Sequence, residues 1–167
     1  FEFIQLSSAS AFIKSEIIQK YKFDTRLKYS EDSVLIGQLL LENKKYGILA
    51  DAIYNYRRRK SKTSAIQKRN EEKGLFFSSD EIEYVYKVLI NKSNEIYGKV
   101  LPYVQYQIMY DIQFKIKKDA SIYISDEEKD AYLEKLKEIL QNIEDYIIMK
   151  QKYLGKEFKI LVLSLKY

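Results

Sequence analysis

The stretch from residue 100 to residue 117, which reads VLPYVQYQIMYDIQFKIK, decides the fold because it is apolar on nearly every side. A helix that is hydrophobic all round belongs in the interior of a protein rather than at its surface. Gly98 stands where a preceding helix would end, and Pro102 stands where this one would begin. The sequence therefore predicts a buried central helix with other helices packed around it.

The segments on either side of this stretch also have helical signals. Ser78 with Glu81 and Ser125 with Glu128 have the spacing of a capping box, in which each Ser begins a helix. Apolar residues then recur at three- and four-residue intervals, at positions 82, 85, 86, 89 and 90 and at 133, 136, 140, 143 and 147. The segment 158–165 fits either a strand or a terminal helix. Residues 75–167 are thus expected to form a helical bundle.

Residues 1–74 show a more mixed pattern. Ser30 can cap a helix whose first turn contains Glu31 and Asp32, and 12–21 has a helical period. Short runs rich in aromatic and branched residues predict strands at 1–6, 46–49 and 53–56. The expected fold class is mainly α with a small β component, divided into domains at 1–74 and 75–167.

Composition excludes several kinds of chemistry. The 167 residues contain no Cys and no His. A disulfide scaffold, a thiolate nucleophile and a Ser-His-Asp triad are therefore ruled out. Acid–base work falls to carboxylates, Lys or Tyr. The chain also begins in strand-like sequence without Met, so we expect it to be a piece of a longer protein.

Positive charge is concentrated in one segment. Residues 1–75 carry 15 Lys and Arg against 9 Asp and Glu, and 57–73 alone holds eight basic residues. Such a segment favours an anionic partner, and a nucleic acid, a phospholipid surface and a nucleoside diphosphate are all compatible with it. A solvated basic loop is the plainer alternative. Nucleic acid is disfavoured because the charges occupy one short loop rather than a whole face.

An ordered set of motifs runs through the first part of the chain. It comprises Phe23-Asp24, Glu31-Asp32, Tyr54-Asn55-Tyr56-Arg57-Arg58 and Ser64. In order and spacing this set resembles the C-terminal half of a family 2 glycosyltransferase with the GT-A fold. The resemblance implies that residues 1–74 are the acceptor side of an incomplete α/β catalytic domain.

A second resemblance covers the helical part. Residues 106–114 and 153–159, which read YQIMYDIQF and YLGKEFK, look like the segment after the glycosyltransferase domain in certain bacterial proteins. Those proteins join a family 2 glycosyltransferase to a CDP-glycerol glycerophosphotransferase-like domain, and they are associated with teichoic-acid or capsule-like polymers. Within this segment, Asp111 has two interpretations. It could make a polar contact to the catalytic domain, or it could be a satisfied buried carboxylate with Lys115, one turn later, as a candidate partner, and the second interpretation is favoured.

The resemblance implies roles for individual residues. Asp32 would be the base that takes a proton from the acceptor hydroxyl in an inverting displacement, with Glu31 binding or orienting the acceptor. Arg58, Ser64 and Arg57 would bind the donor diphosphate, and three adjacent arginines leave open which one meets it. Taken without the other motifs, Glu31 and Asp32 would be read as ordinary helix-start acids that complement the dipole.

The same resemblance implies the partners of the parent protein. These are a nucleotide-sugar donor, a polyol or glycan acceptor, and Mg²⁺ or Mn²⁺ whose ligands are not in this chain. No D-x-D motif or Gly-rich phosphate loop occurs in the sequence, so the chain alone is expected to be inactive. The parent is expected in the cytoplasm, with peripheral contact at the inner membrane face and homo-oligomerisation both left open.

One alternative comes from a different class of protein. The chain could be a non-enzymatic helical interaction module whose basic loop docks to an acidic partner or a membrane surface. The two hypotheses differ in what they require of the structure. The enzyme needs Asp32 to face a cleft together with the loop 57–64, whereas the module needs an exposed apolar patch on its helices.

Overall fold

The computed structural model describes residues 6–55, 77–118, 120 and 124–167. Its N-terminal part contains a 3₁₀ turn at Ser8–Ser10, a single-turn helix α1 at Ser15–Ile18, and the longer helix α2 at Glu31–Asn43. The helix predicted over 12–21 is therefore only one turn long. Helix α2 is followed by Lys44, whose backbone is left-handed with φ 63°.

The predicted β component is not supported. Residues 46–49 and 53–55 have no regular structure, no strand occurs among the residues described, and 1–5 and 56 lie outside them. A strand is stable only when it pairs with a neighbour and buries one face. Ile48, Leu49 and Ile53 are instead largely exposed to solvent. The chain is a mainly helical piece, and the GT-A portion of the fold prediction is not supported.

The C-terminal part is helical, as the periodicity predicts. Helix α3 (Ser79–Glu81) continues through a π turn (Ile82–Tyr86) into α4 (Lys87–Tyr97), which ends at Gly98 with φ 66°. The remaining helices are α5 (Pro102–Lys115), α6 (Asp126–Leu140), α7 (Asp145–Met149) and α8 (Lys156–Lys166). The segment 158–165, which fitted a strand or a helix, is thus helical.

The two predicted capping boxes have different outcomes. At the start of α6, the Glu128 backbone N–H donates to Ser125 Oγ at 3.3 Å, and the Ser125 N–H donates to Glu128 Oε2 at 2.9 Å. At the start of α3, Ser78 Oγ accepts from the Asp80 N–H at 3.1 Å. Glu81 does not complete that second box, because its side chain is buried and contacts other residues.

Helix α5 lies in the middle of the hydrophobic core. Val104, Ile108, Met109 and Ile112 on this helix are almost completely buried, as the sequence predicts, but the helix is not buried on every side, because Tyr110 and Phe114 are 38% and 40% exposed. It packs against α4 and α7, while α6 packs against the π turn and α8.

The N-terminal part contributes to the same core. Helix α2 packs against α4 and the π turn. Leu27, Val34 and Leu41 lie in the same buried cluster as the C-terminal helices. The division into domains at 1–74 and 75–167 stays a prediction. Within the described ranges, no helix is both long enough and apolar enough to cross a membrane.

Candidate active site

The predicted acidic pair lies at the mouth of a cleft. Glu31 and Asp32 occupy the first turn of α2, and both are partly buried. They line an open cleft of about 430 Å³ between the start of α2, the π turn and α5. The backbone N–H of Ser8 donates to Asp32 Oδ2 at 3.3 Å. The helix dipole favours negative charge at this position, and the cleft leaves room beside it for a ligand.

Ser30 precedes this pair in an unusual conformation. Its φ of 66° is left-handed, a region that non-glycine residues rarely enter, and its side chain makes no cap to α2. The hydroxyl instead donates to Glu81 Oε1 at 2.6 Å, which links the start of α2 to the end of α3. Strained backbone of this kind persists only where surrounding contacts hold it. The expectation that Ser30 caps the helix through its side chain is therefore wrong.

The Ser30–Glu81 hydrogen bond is held by a buried charge network that consists of Glu81, Tyr86, Asp111 and Lys115. Lys115, at the end of α5, contacts Glu81 Oε2 directly and lies 3.1 Å from Asp111 Oδ2. Tyr86 donates its hydroxyl hydrogen to the same Asp111 oxygen. Lys115 is 2% exposed and Glu81 is 4% exposed, so each of these charges depends on the other. The Asp111–Lys115 pair is the one that the four-residue spacing predicts.

The surroundings shift the pKa values of two groups in this network. Burial opposes the charge on Lys115, but the negative charges near it, first that of Asp111, outweigh burial and raise its pKa. Burial, together with Asp111 and Glu81, raises the pKa of Tyr86 well above its usual value. Lys115 is therefore a charged ammonium and Tyr86 a neutral hydroxyl at neutral pH.

A second contact holds α2 on the other side of the acidic pair. The Gln107 side-chain amide donates to the Ser33 carbonyl oxygen at 2.9 Å and to Ser33 Oγ at 3.1 Å. Ser30 and Ser33 flank Glu31 and Asp32 in the sequence. Residues of α5 thus fix both ends of the first turn, one directly through Gln107 and one through Lys115 and Glu81.

Residues of α5 also line the cleft. Tyr110 and Asp111 line it, together with Tyr86 from the π turn. The side chain of Asp111 is 30% exposed. Carboxylates from two helices therefore line the cleft, Glu31 and Asp32 from α2 and Asp111 from α5.

The basic loop at residues 57–64 cannot be placed relative to the cleft. Arg57, Arg58, Arg59 and Ser64 lie outside the described residues, so their predicted role toward a diphosphate stays a prediction. The described ranges contain no group of three or more acidic side chains that could hold a metal ion. The residues described here do not fit an Mg²⁺ or Mn²⁺ site, and the expected metal remains a prediction about the parent protein.

Sequence reasoning missed the role of Glu81 in the network. Glu81 matches the capping-box pattern, so its local sequence points to the wrong role. Its true partner, Lys115, is 34 residues away. The available signal was the presence of Asp111 and Lys115 in an otherwise apolar helix, because buried charges need partners.

Comparisons with known proteins find two similar curated proteins, both from Bacillus subtilis (strain 168). The minor teichoic acid biosynthesis protein GgaB is 29% identical over 166 residues, which cover 95% of this chain and 18% of GgaB. The minor teichoic acid biosynthesis protein GgaA is 29% identical over 137 residues, which cover 77% of this chain and 29% of GgaA. The chain thus spans less than a third of either relative. No family model and no solved structure matches it.

Proposed function

We propose that the chain is the acceptor-side part of a bacterial transferase that builds a cell-wall polymer of the teichoic-acid type. The similarity to two teichoic acid biosynthesis proteins supports the polymer class. The ordered motifs from Phe23 to Ser64 support a glycosyl transfer from a nucleotide-sugar donor. Because the chain spans a small part of each relative, the activity belongs to the longer parent protein.

The observation that carries the proposal is the placement of Glu31 and Asp32. They stand together at a cleft, in a helix turn that is fixed on both sides through Ser30 and Ser33. A general base needs a fixed position, because proton transfer requires the acceptor hydroxyl within hydrogen-bond distance. Glu31 would orient that hydroxyl beside Asp32.

The proposed reaction is an inverting displacement. Asp32 takes the proton of the acceptor hydroxyl as its oxygen attacks the anomeric carbon of the donor sugar. The bond from that carbon to the diphosphate breaks, and the nucleoside diphosphate leaves with the bonding electrons. Arg57 or Arg58, together with Ser64, would stabilise the charge that develops on the leaving group.

The substitution Asp32→Asn in the full-length parent tests this proposal. It keeps the size of the side chain and removes the base, so transfer from a nucleotide sugar should fall by about 10²-fold or more. The measurement is release of nucleoside diphosphate in the presence of acceptor, with circular dichroism to check the fold.

Asp130→Asn is the matched control, because Asp130 is exposed on α6, a helix with no residue in the cleft. It should keep wild-type activity. If the Asp32→Asn parent is as active as the wild type, the proposal is wrong, and Glu31 and Asp32 have only a structural role at the start of α2.

A further inference from the structure

The cleft continues along the surface of the helical part as a row of exposed aromatic rings. Tyr110, on the cleft wall, meets Phe114 one turn later on α5, with ring centroids 5.3 Å apart in an edge-to-face arrangement. Phe114 lies 6.3 Å from the ring of Tyr153 in a stacked arrangement. The three rings are 38%, 40% and 62% exposed, respectively. Adjacent exposed rings of this kind commonly mark a binding surface rather than a core.

Charged groups lie at both ends of this aromatic row. At one end, Asp111 stands next to Tyr110 on the cleft wall and is held in place by Lys115 and Tyr86. At the other end, Lys117 donates to the Tyr153 carbonyl oxygen and lies 6.0 Å from the Phe114 ring centroid. Ring faces, a fixed carboxylate and a cation therefore occur along one continuous surface that begins at Asp32's cleft.

This combination matches the chemistry of sugars. A pyranose ring has an apolar face of C–H groups that can lie on an aromatic ring, and its hydroxyls donate hydrogen bonds to a carboxylate. Binding sites for such ligands combine aromatic surface with a few fixed polar groups. A purely apolar protein partner would have no use for the carboxylate at the mouth of the row.

We propose that Tyr110, Asp111, Phe114 and Tyr153 form a binding subsite for the sugar rings of the acceptor chain. The acceptor's terminal hydroxyl would reach Asp32 in the cleft while the preceding sugar units lie along the aromatic row. This inference rests on the proposed function for its choice of ligand. Sugar binding to the row can nevertheless be measured without any transfer reaction.

The direct test is saturation-transfer difference NMR on the 167-residue chain with cellobiose and with chitobiose. Glycerol 1-phosphate serves as a probe that has hydroxyls and a phosphate but no ring. We expect transfer to the ring protons of at least one disaccharide, and a loss of that transfer in Tyr110→Ala and Phe114→Ala. Tyr146→Ala is the matched control, because Tyr146 is similarly exposed, at 41%, but lies outside the row.

Two results would overturn the inference. One is that neither disaccharide shows more transfer than glycerol 1-phosphate. The other is that the two row variants and the Tyr146→Ala control give the same signal as the wild type. The second result would show that the disaccharide binds elsewhere on the chain. Circular dichroism of each variant separates loss of binding from loss of fold.

A kinetic measurement separates this inference from the proposed function. In the full-length parent, Tyr110→Ala should raise the KM for acceptor by about tenfold. If the chain binds disaccharides through the row but the parent transfers no sugar, the subsite stands and the proposed function fails. If the parent transfers sugar with an unchanged acceptor KM in this variant, the function stands and the subsite fails.

Discussion

At the scale of single residues, Lys115 connects the buried core to the candidate site. It is buried between Glu81 and Asp111, and through Glu81 it reaches Ser30. An ammonium in this position compensates charges that would otherwise be costly to bury. The same contacts hold the turn that carries Asp32, so stability and site geometry depend on one side chain.

Replacement of Lys115 by Met should therefore be strongly destabilising. It leaves Glu81 buried without a counter-ion, and we expect the free energy of unfolding to fall by about 3–5 kcal/mol. Urea denaturation followed by circular dichroism gives this value. The control is Lys14→Met, because Lys14 and its partner Glu16 are both exposed and 3.9 Å apart. That change should cost less than about 1 kcal/mol.

A double variant tests the reason for this loss. Adding Glu81→Gln to Lys115→Met removes the unpaired buried carboxylate, so part of the lost stability should return. A double variant that is less stable than Lys115→Met alone would show that packing, rather than charge compensation, is the main contribution of Lys115.

Tyr86 gives the stability a dependence on alkaline pH. Its pKa is higher in the folded chain than in the unfolded chain, where a tyrosine titrates near pH 10. Above that pH the folded chain holds a proton that the unfolded chain has lost, so stability falls as pH rises. Lys115, whose pKa is also raised, acts in the same direction.

The substitution Tyr86→Phe should make this decline shallower. Without the Tyr86 hydroxyl, the folded and unfolded chains differ by one bound proton fewer at alkaline pH. The slope of unfolding free energy against pH should therefore fall by up to about 1.4 kcal/mol per pH unit. Urea midpoints measured between pH 9 and pH 11 give the slope for both proteins. The variant also loses its hydrogen bond to Asp111, so its stability at neutral pH is expected to be lower. An unchanged slope would contradict the prediction.

Local sequence predicted some of these residue contacts and not others. The four-residue spacing of Asp111 and Lys115 indicated Lys115 as a candidate partner, and the structure contains that ion pair. Glu81 was assigned to a capping box because the pattern matched, and nothing nearby revealed a buried ammonium on a distant helix. The left-handed backbone of Ser30 was also invisible, since Ser before two acids is typical of an ordinary helix start.

At the scale of helices, the fit between α2 and its neighbours depends on one glycine. A Cβ atom at Gly37 would lie 2.6 Å from Leu89 Cδ2 and 2.9 Å from Gln107 Oε1. Gly37 therefore allows α2 to lie close to α4 and α5, at the level where Gln107 holds Ser33.

The substitution Gly37→Ala should lower stability although alanine favours helix formation. Overpacking in a buried site costs about 1–3 kcal/mol, which exceeds the roughly 1 kcal/mol difference in helix propensity. Thermal and urea unfolding measure the net effect. Gly47→Ala is the control, because a Cβ there meets no atom within 4 Å. A Gly37→Ala chain as stable as the wild type would mean that α2 shifts without cost.

Helices were easier to predict than strands for a physical reason. The helices of 79–166 satisfy their own backbone hydrogen bonds, so apolar periodicity and capping residues suffice to locate most of them. A strand needs a partner, and the branched residues at 46–49 and 53–55 have none among the described residues. Their β propensity was real, but it could not specify structure without a neighbouring strand.

At the scale of the whole chain, residues from both halves form one buried cluster. Leu41 on α2 and Leu140 on α6 are 1% and 0% exposed, and they belong to the same core. The sequence predicted which faces would be buried but not that α2 would join the helical bundle. Periodicity reports the apolar face of each helix, whereas the pairing of those faces depends on the whole chain.

A shared core should unfold in a single transition. We expect Leu41→Ala and Leu140→Ala each to lower the free energy of unfolding by about 2–5 kcal/mol and to shift the same transition. Urea curves from circular dichroism and tyrosine fluorescence should coincide. Leu161→Ala, at a position that is 49% exposed, should have a much smaller effect. Two separated transitions would show that the halves fold independently.

The π turn at Ile82–Tyr86 sets the register of the helix that carries two members of the charge network. In a regular α-helix, residues five apart point in directions that differ by roughly 140°. In this turn the Lys87 N–H bonds to the Ile82 carbonyl oxygen, five residues back, and both Glu81 and Tyr86 reach the Lys115–Asp111 pair. Deleting one residue here would rotate one of the two away. Related chains that lack one residue at this point should therefore be unable to form the charge network around Lys115. Related chains without such a gap should be able to keep it.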